Sequence, residues 1–135
     1  MQIQPYIFLD GRCREAIDFY TNTLDAELLM RMLFSENPGP EELPPGVTGD
    51  KIMHAALRIG DSQIFLSDGH CAGKPEFRGF SLSLALADDR AAKRTFDALA
   101  QGGNVTVPLT QTFFASSFCM VTDRFGMPWM VVVQR

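Results

Sequence analysis

The sequence repeats one order of predicted elements, and this repeat is its strongest constraint on the fold. In the first half the order is strand, helix and three strands, at residues 3–9, 12–23, 26–35, 51–59 and 63–67. In the second half the same order recurs at residues 79–87, 88–100, 105–112, 114–121 and 129–133. Neither half has a second layer thick enough to bury both faces of its sheet, so the halves should pair. The sequence therefore predicts an α+β fold of two βαβββ modules, each with a curved, mostly antiparallel sheet.

The repeat also predicts the domain organisation. Module 1 covers about residues 1–68, a connector follows at 69–78, and module 2 covers about 79–135, all within a single domain. A chain of 135 residues buries roughly two-thirds of its unfolded surface, so the core needs no disulfide or metal.

Several polar residues predict where elements begin or turn. Asp10 is a candidate cap for the first helix, and Asp88 with Asp89 begins the second. Asp123 and Gly126 suit the first and fourth positions of a type I turn that joins the last two strands. Asp123 is therefore interpreted as a turn residue rather than a catalytic carboxylate.

The segment at residues 36–50 contains four prolines, three glycines and several acids, which is typical of a surface loop. Such a composition suits a mobile lid over a binding cleft, and it suits a passive connector equally well.

Charge and cysteine usage exclude several classes of partner. The net charge of −4 argues against nucleic acid and anionic membranes, and no apolar run approaches the roughly 20 residues of a membrane span. Residues 1–11 lack the basic segment of a secretory signal. The three cysteines, Cys13, Cys71 and Cys119, are odd in number and widely spaced, which indicates reduced thiols in a cytoplasmic protein.

Three stretches carry a family resemblance: PYIFLDGRCREAIDFYTNTLDAE (residues 5–27), MHAALRIGDSQIFLSD (53–68) and VTDRFGMPWMV (121–131). Together with the duplicated layout they resemble the vicinal oxygen chelate superfamily of glyoxalases, bleomycin-resistance proteins and dioxygenases, and within it the PhnB-like branch. The resemblance implies two half-barrel modules around a cleft, a homodimer, and, in the metal-dependent members, one divalent ion held by His and Glu or Gln side chains.

The positions of those metal ligands fall on unsuitable residues in this chain. They correspond to Pro5 on the first strand, to Ser81 or Ser83 on the fifth and to Met130 on the last. Proline offers no side-chain donor, and a thioether is a poor ligand for hard divalent ions. The expectation is therefore a protein without metal or other cofactor, and the alternative is a divalent ion in a relocated site.

His54 is the principal candidate for chemistry. Period-2 alternation places it on the same face as Ile52, Ala56 and Arg58. If that face lines the cleft, a neutral imidazole can act as a base or orient a substrate; the alternative is a core histidine bonded to a neighbouring group. His70 and Cys71 lie in the connector without a third ligand nearby, which argues against a metal site.

The cleft should combine an apolar lining with a few polar groups. The predicted cleft residues are Tyr6, Phe8, Met53, His54, Gln63, Ser67, Ser81, Ser83, Trp129 and Met130. Trp129 and Met130 point to opposite faces of one strand, so only one of the two should face the cleft.

The sequence is compatible with three functions. The first is a metal-free protein that binds a small apolar or amphipathic molecule. The second is an enzyme of lyase, isomerase or dioxygenase type that depends on a metal or on His54. The third is a purely structural homodimer. A methyltransferase finds no support, because the sequence contains no Rossmann unit and no glycine-rich cofactor loop.

Overall fold

The computed structural model describes residues 1–40, 42–69 and 74–135. The chain divides into two compact units, Met1–Pro75 and Glu76–Arg135, and their boundary falls inside the predicted connector. His70 and Cys71 lie outside the described residues.

In the described residues of the first unit, one α-helix packs on a four-stranded mixed sheet. Its elements are β1 (Tyr6–Phe8), α1 (Cys13–Leu24), β2 (Glu27–Leu33), β3 (Ile52–Ile59) and β4 (Ser62–Ser67), with a short 3-10 turn at Phe34–Glu36. The strand order is β1-β4-β3-β2. β1 runs parallel to β4, whereas the other two pairs are antiparallel. The parallel pair places the first strand at the sheet edge, beside the last.

The second unit repeats this topology. Its elements are β5 (Leu82–Ala85), α2 (Asp89–Ala100), β6 (Asn104–Thr110), β7 (Ala115–Thr122) and β8 (Pro128–Gln134). The order is β5-β8-β7-β6, again with one parallel pair, β5 with β8. The predicted pair of βαβββ modules is therefore confirmed, and each sheet is mixed.

In each unit the helix covers one face of the sheet, and the burial along β7 alternates accordingly. Along β7 the residues Ala115, Ser117, Cys119 and Val121 are buried, and those between them are half-buried. α2 packs on β7 and β8, so the buried set faces the helix. The opposite face of each sheet, which points away from the helix of the same unit, is called here the uncovered face.

The first helix begins differently from the prediction. Asp10 does not cap α1; it adopts a left-handed backbone (φ 48°), and the N-cap residue Arg12 makes no side-chain cap. Asp68, which follows β4, supplies the acceptor instead: the Cys13 amide donates to its Oδ1 at 3.0 Å, and the Ile52 amide donates to its Oδ2 at 2.9 Å. One buried carboxylate therefore joins the start of α1 to the start of β3.

The second helix and the last turn follow the prediction. Asp88 caps α2 by accepting a hydrogen bond from the Ala91 amide at 2.8 Å. Asp123 accepts the Phe125 and Met127 amides on one oxygen, at 2.9 and 3.0 Å, and the Trp129 indole on the other at 2.8 Å. Asp123 is 2% exposed, so this carboxylate is a structural anchor of the turn.

β2 is an edge strand with an apolar surface. Leu28, Leu29 and Met30 are 41%, 39% and 40% exposed. The pairing of β2 with β3 shifts register between Leu28 and Met30 and again between Met32 and Leu33. An exposed apolar edge of this kind is unusual for a surface without a partner.

The helices α1 and α2 each have 12 residues. None of the helices in the described part of the chain is long and apolar enough to cross a membrane.

Replacing Asp68 with Asn tests the bridge between α1 and β3. The amide group keeps one acceptor oxygen but turns a donor toward the second backbone N–H, so we expect a loss of about 1–3 kcal/mol in the free energy of unfolding. Urea denaturation followed by circular dichroism measures it.

The matched control is Asp88→Asn at the exposed cap of α2, where Asn and Asp cap helices about equally well. We expect that variant to stay within about 0.5 kcal/mol of the parent. Equal losses in the two variants would show that Asp68 acts only as an ordinary helix cap.

Candidate functional site

Four rings cluster on the uncovered face of the first unit. Tyr6 and Phe8 come from β1, His54 from β3 and Phe65 from β4. The register explains their meeting: Tyr6 is the Cα partner of Phe65 across the parallel pair, and Phe65 is the partner of Ala56, two residues after His54. Side chains two residues apart share a face of a strand, so three neighbouring strands bring these rings together. We call these four residues the aromatic face.

Tyr6 is the centre of the aromatic face. Its ring centroid lies 5.1 Å from that of Phe8, 5.5 Å from that of His54 and 5.9 Å from that of Phe65. The His54 and Phe65 rings are stacked, with centroids 5.5 Å apart and planes 24° apart. Tyr6 is nevertheless 44% exposed, and the other three rings are half-buried. The cluster therefore presents ring surface to solvent instead of filling the core.

A hydrogen bond links the two polar rings. The Tyr6 hydroxyl lies 2.8 Å from Nδ1 of His54. Burial raises the pKa of Tyr6, and a hydrogen bond from Ser67 acts in the opposite direction. Ser67 is 2% exposed, and its hydroxyl oxygen accepts the Gly69 amide at 3.0 Å. The two polar side chains of the aromatic face, Tyr6 and His54, are thus hydrogen-bonded to each other.

A bulge in β3 changes which residues accompany His54. Met32 pairs with His54 and Leu33 with Ile52, so Met53 is an extra residue in the ladder. Alternation cannot be carried across a bulge, and the expectation that Ile52 shares the face of His54 fails: Ile52 is fully buried, whereas Met53 and His54 are both half-buried.

Of the remaining predicted residues in this unit, Gln63 lies on the same face as Phe65, two residues along β4. Its strand partner is Arg58, which forms an ion pair with Glu27. Phe65 was not among the predicted residues, although its position between Gln63 and Ser67 on one strand places it on their face.

The other predicted site residues belong to the second unit. Ser83 and Met130 are Cα partners across the parallel pair β5–β8. Met130 is half-buried on the uncovered face, and Ser83 is exposed. Ser81 lies just before β5.

Trp129 does not belong with these residues. It is 2% exposed, lies on the helix-covered face and donates its indole N–H to Asp123. Its inclusion among the cleft residues was wrong, because the adjacent Met130 takes the uncovered side of the strand.

The residues at the expected metal positions do not fit a divalent ion. Pro5 contributes only its backbone carbonyl, which accepts the Phe65 amide at 2.9 Å, and Ser83 and Met130 supply a hydroxyl and a thioether. Among residues 1–40, 42–69 and 74–135, no group of three or more His, Cys, Asp or Glu side chains could hold a metal ion.

A separate cavity of about 350 Å³ opens at the start of α1. The cationic side chains that line this cavity already bind groups within the same unit. Arg12 forms an ion pair with Glu15 at 3.0 Å. Arg14 donates to the Asp50 carbonyl at 3.1 Å, and Lys51 donates to the Gly11 carbonyl at 3.4 Å. The helix N-terminus there is already occupied by Asp68. The aromatic face shares no residue with this cavity, and it remains the better candidate site.

The family model for 3-demethylubiquinone-9 3-methyltransferase matches residues 1–132, which is nearly the whole chain. YjdN of Escherichia coli K12 is 39% identical over 140 residues, covering 98% of this chain and 95% of that protein. The crystal structure of PA1353 from Pseudomonas aeruginosa is 41% identical, with a TM-score of 0.86 over 99% of this chain and 98% of that one.

More distant structures share the fold. A PhnB protein from Bacillus cereus has 23% identity and a TM-score of 0.81, covering 98% of this chain and 99% of that one. A glyoxylase/bleomycin resistance protein/dioxygenase domain from Frankia has 20% identity and a TM-score of 0.65, covering 100% and 98%. The chain therefore has the glyoxalase/bleomycin-resistance fold and belongs to the PhnB-like, 3-demethylubiquinone-9 3-methyltransferase family.

Proposed function

We propose that this protein binds a small, planar, largely apolar molecule on the aromatic face, without a metal ion or other cofactor. The observation that carries the proposal is the partly exposed ring cluster of Tyr6, Phe8, His54 and Phe65, with centroid distances of 5.1 to 5.9 Å. Ligand sites are typically apolar and aromatic surfaces with a few convergent polar groups, and this face has that composition.

The energetics favour a flat ligand. Offset or tilted ring pairs contribute about 0.5–1.5 kcal/mol beyond the burial of their area, and a planar molecule can contact several of these rings at once. The hydrogen bond between Tyr6 and His54 holds two of the rings in place, so little side-chain entropy is lost when a ligand binds.

The proposal does not depend on methyl transfer. The family description names a methyltransferase, but the sequence contains no glycine-rich cofactor loop, and each unit contains a four-stranded mixed sheet with only one parallel pair. A doubly wound parallel sheet is the usual support for such a cofactor. Binding of a planar molecule requires only the aromatic face.

We expect Phe65→Ala to weaken binding of a naphthalene-ring probe, 2-acetylnaphthalene, by about 5- to 30-fold, because it removes the ring that is stacked on His54. Titration of the probe, followed by two-dimensional amide NMR, gives the dissociation constant and shows which residues respond.

Phe113→Ala is the matched control. Phe113 is 93% exposed in the second unit and is not part of the aromatic face. We expect its affinity for the probe to equal that of the parent. If the probe does not bind, or if both variants lose affinity alike, the aromatic face is not the binding site.

The second candidate function is catalysis by the Tyr6–His54 pair, in a metal-independent lyase or isomerase. The short Tyr6–His54 contact favours it, since a histidine oriented by a second group is a common arrangement for proton transfer. A hydrogen-bonded pair of this kind also serves a binding site, so the contact alone does not distinguish the two functions.

Tyr6→Phe separates binding from catalysis, because it keeps the ring and removes the hydroxyl. Under the binding function we expect the affinity for 2-acetylnaphthalene to change by less than about threefold. Under the catalytic function, turnover of any substrate found by screening should fall by about 100-fold or more with little change in substrate affinity. Turnover that survives the substitution would remove the pair from catalysis.

We also infer that the protein is a homodimer in the cytoplasm. The exposed apolar residues of β2, Leu28, Leu29 and Met30, support an interface, and the buried Cys119 is a free thiol, which suits a reducing compartment. Sedimentation equilibrium should give twice the chain mass of 15.0 kDa. A single-chain mass at micromolar concentration would contradict the dimer.

A further inference from the structure

We infer that the neutral imidazole of His54 carries its proton on Nε2, and that this N–H donates a hydrogen bond to an acceptor such as a carbonyl oxygen on the planar ligand. The inference rests on the proposed function for its ligand, and it adds the polar group that the ligand must carry.

The direction of the hydrogen bond between Tyr6 and His54 follows from the two groups. The Tyr6 oxygen and Nδ1 of His54 are 2.8 Å apart, so one of them must donate. A phenol is a good donor and a weak acceptor, whereas the unprotonated nitrogen of a neutral imidazole is the more basic acceptor. The Tyr6 hydroxyl therefore donates to Nδ1, and the imidazole proton must lie on Nε2.

The position of the imidazole leaves Nε2 available to a ligand. The ring is stacked on Phe65, with the planes 24° apart, and it is half-buried. Among the residues that the structure describes, none hydrogen-bonds to Nε2. An N–H beside an exposed set of rings suits a planar ligand that carries an acceptor at its edge.

This tautomer also decides what His54 can do. A donor at Nε2 can orient or polarise a carbonyl oxygen, but it cannot remove a proton from a substrate at that nitrogen. The inference therefore favours acceptor recognition over general-base catalysis at this position.

Nitrogen-15 NMR of histidine-labelled protein tests the tautomer without any ligand. At about pH 8, where an ordinary imidazole is neutral, we expect Nδ1 of His54 to resonate as an unprotonated nitrogen and Nε2 as a protonated one. The other histidine, His70, is assigned with the variant His70→Gln. In Tyr6→Phe the His54 signals should move toward the averaged values of mixed tautomers. A protonated Nδ1 in the parent protein would overturn the inference.

Two probes of nearly equal shape test the ligand. We expect 2-acetylnaphthalene, which carries a carbonyl, to bind about three- to tenfold tighter than 2-ethylnaphthalene, which carries none. His54→Phe keeps a ring at this position and should abolish the difference while both probes still bind. Circular dichroism and thermal unfolding check that the variant folds.

The outcomes separate this inference from the proposed function. If both probes bind the parent equally well, the aromatic face is a binding site and the role of His54 as a donor is wrong. If neither probe binds, the proposed function fails together with the ligand part of the inference, and the spectra still decide the tautomer. If the His54→Phe variant still binds 2-acetylnaphthalene more tightly than 2-ethylnaphthalene, another residue is the donor and the inference is overturned.

Discussion

The buried carboxylate of Asp68 is the interaction on which the first unit depends. It lies directly after β4 and accepts two backbone amides, from Cys13 at the start of α1 and from Ile52 at the start of β3. The Asp68 amide in turn donates to the Ile52 carbonyl at 2.8 Å. A buried acid is tolerated here because backbone N–H groups and the positive end of a helix dipole replace its hydration. The carboxylate fixes the end of β4, and this strand carries Phe65 and Ser67 of the site.

The two units reach the same topology with different polar anchors. In the second unit the exposed Asp88 caps α2 locally, and Asp89 accepts the Ser116 and Ser117 hydroxyls of β7 at 2.6 and 2.7 Å. These contacts hold the pKa of Asp89 below its usual value. The buried acid of this unit, Asp123, serves the β7–β8 turn instead of the helix. The two units thus share the order of strands and helices, whereas the carboxylates that stabilise this topology occupy different positions in each unit.

The sequence was sufficient to predict the elements and their order, because strand and helix periodicity is a local property. It was insufficient where distant residues meet. Asp10 was a reasonable cap on local grounds, but Asp68, 55 residues from the amide it accepts, takes that role. Similarly, the bulge at Met53 depends on pairing with β2, so alternation alone misplaced Ile52 relative to His54. The Tyr6–His54 contact joins residues 48 apart, and no local pattern predicts it.

β1 is only three residues long, yet it supplies two of the four rings of the aromatic face. Its backbone is secured on one side, through the pairing with β4 and bonds such as the one from the Leu9 amide to the Ser67 carbonyl at 2.9 Å. Short edge strands fray at little cost compared with global unfolding. A molecule that contacts Tyr6 and Phe8 together binds more tightly when β1 is paired with β4 than when β1 is frayed. Its binding therefore stabilises the paired state by mass action. Ligand binding to the aromatic face and the pairing of β1 with β4 are therefore thermodynamically coupled.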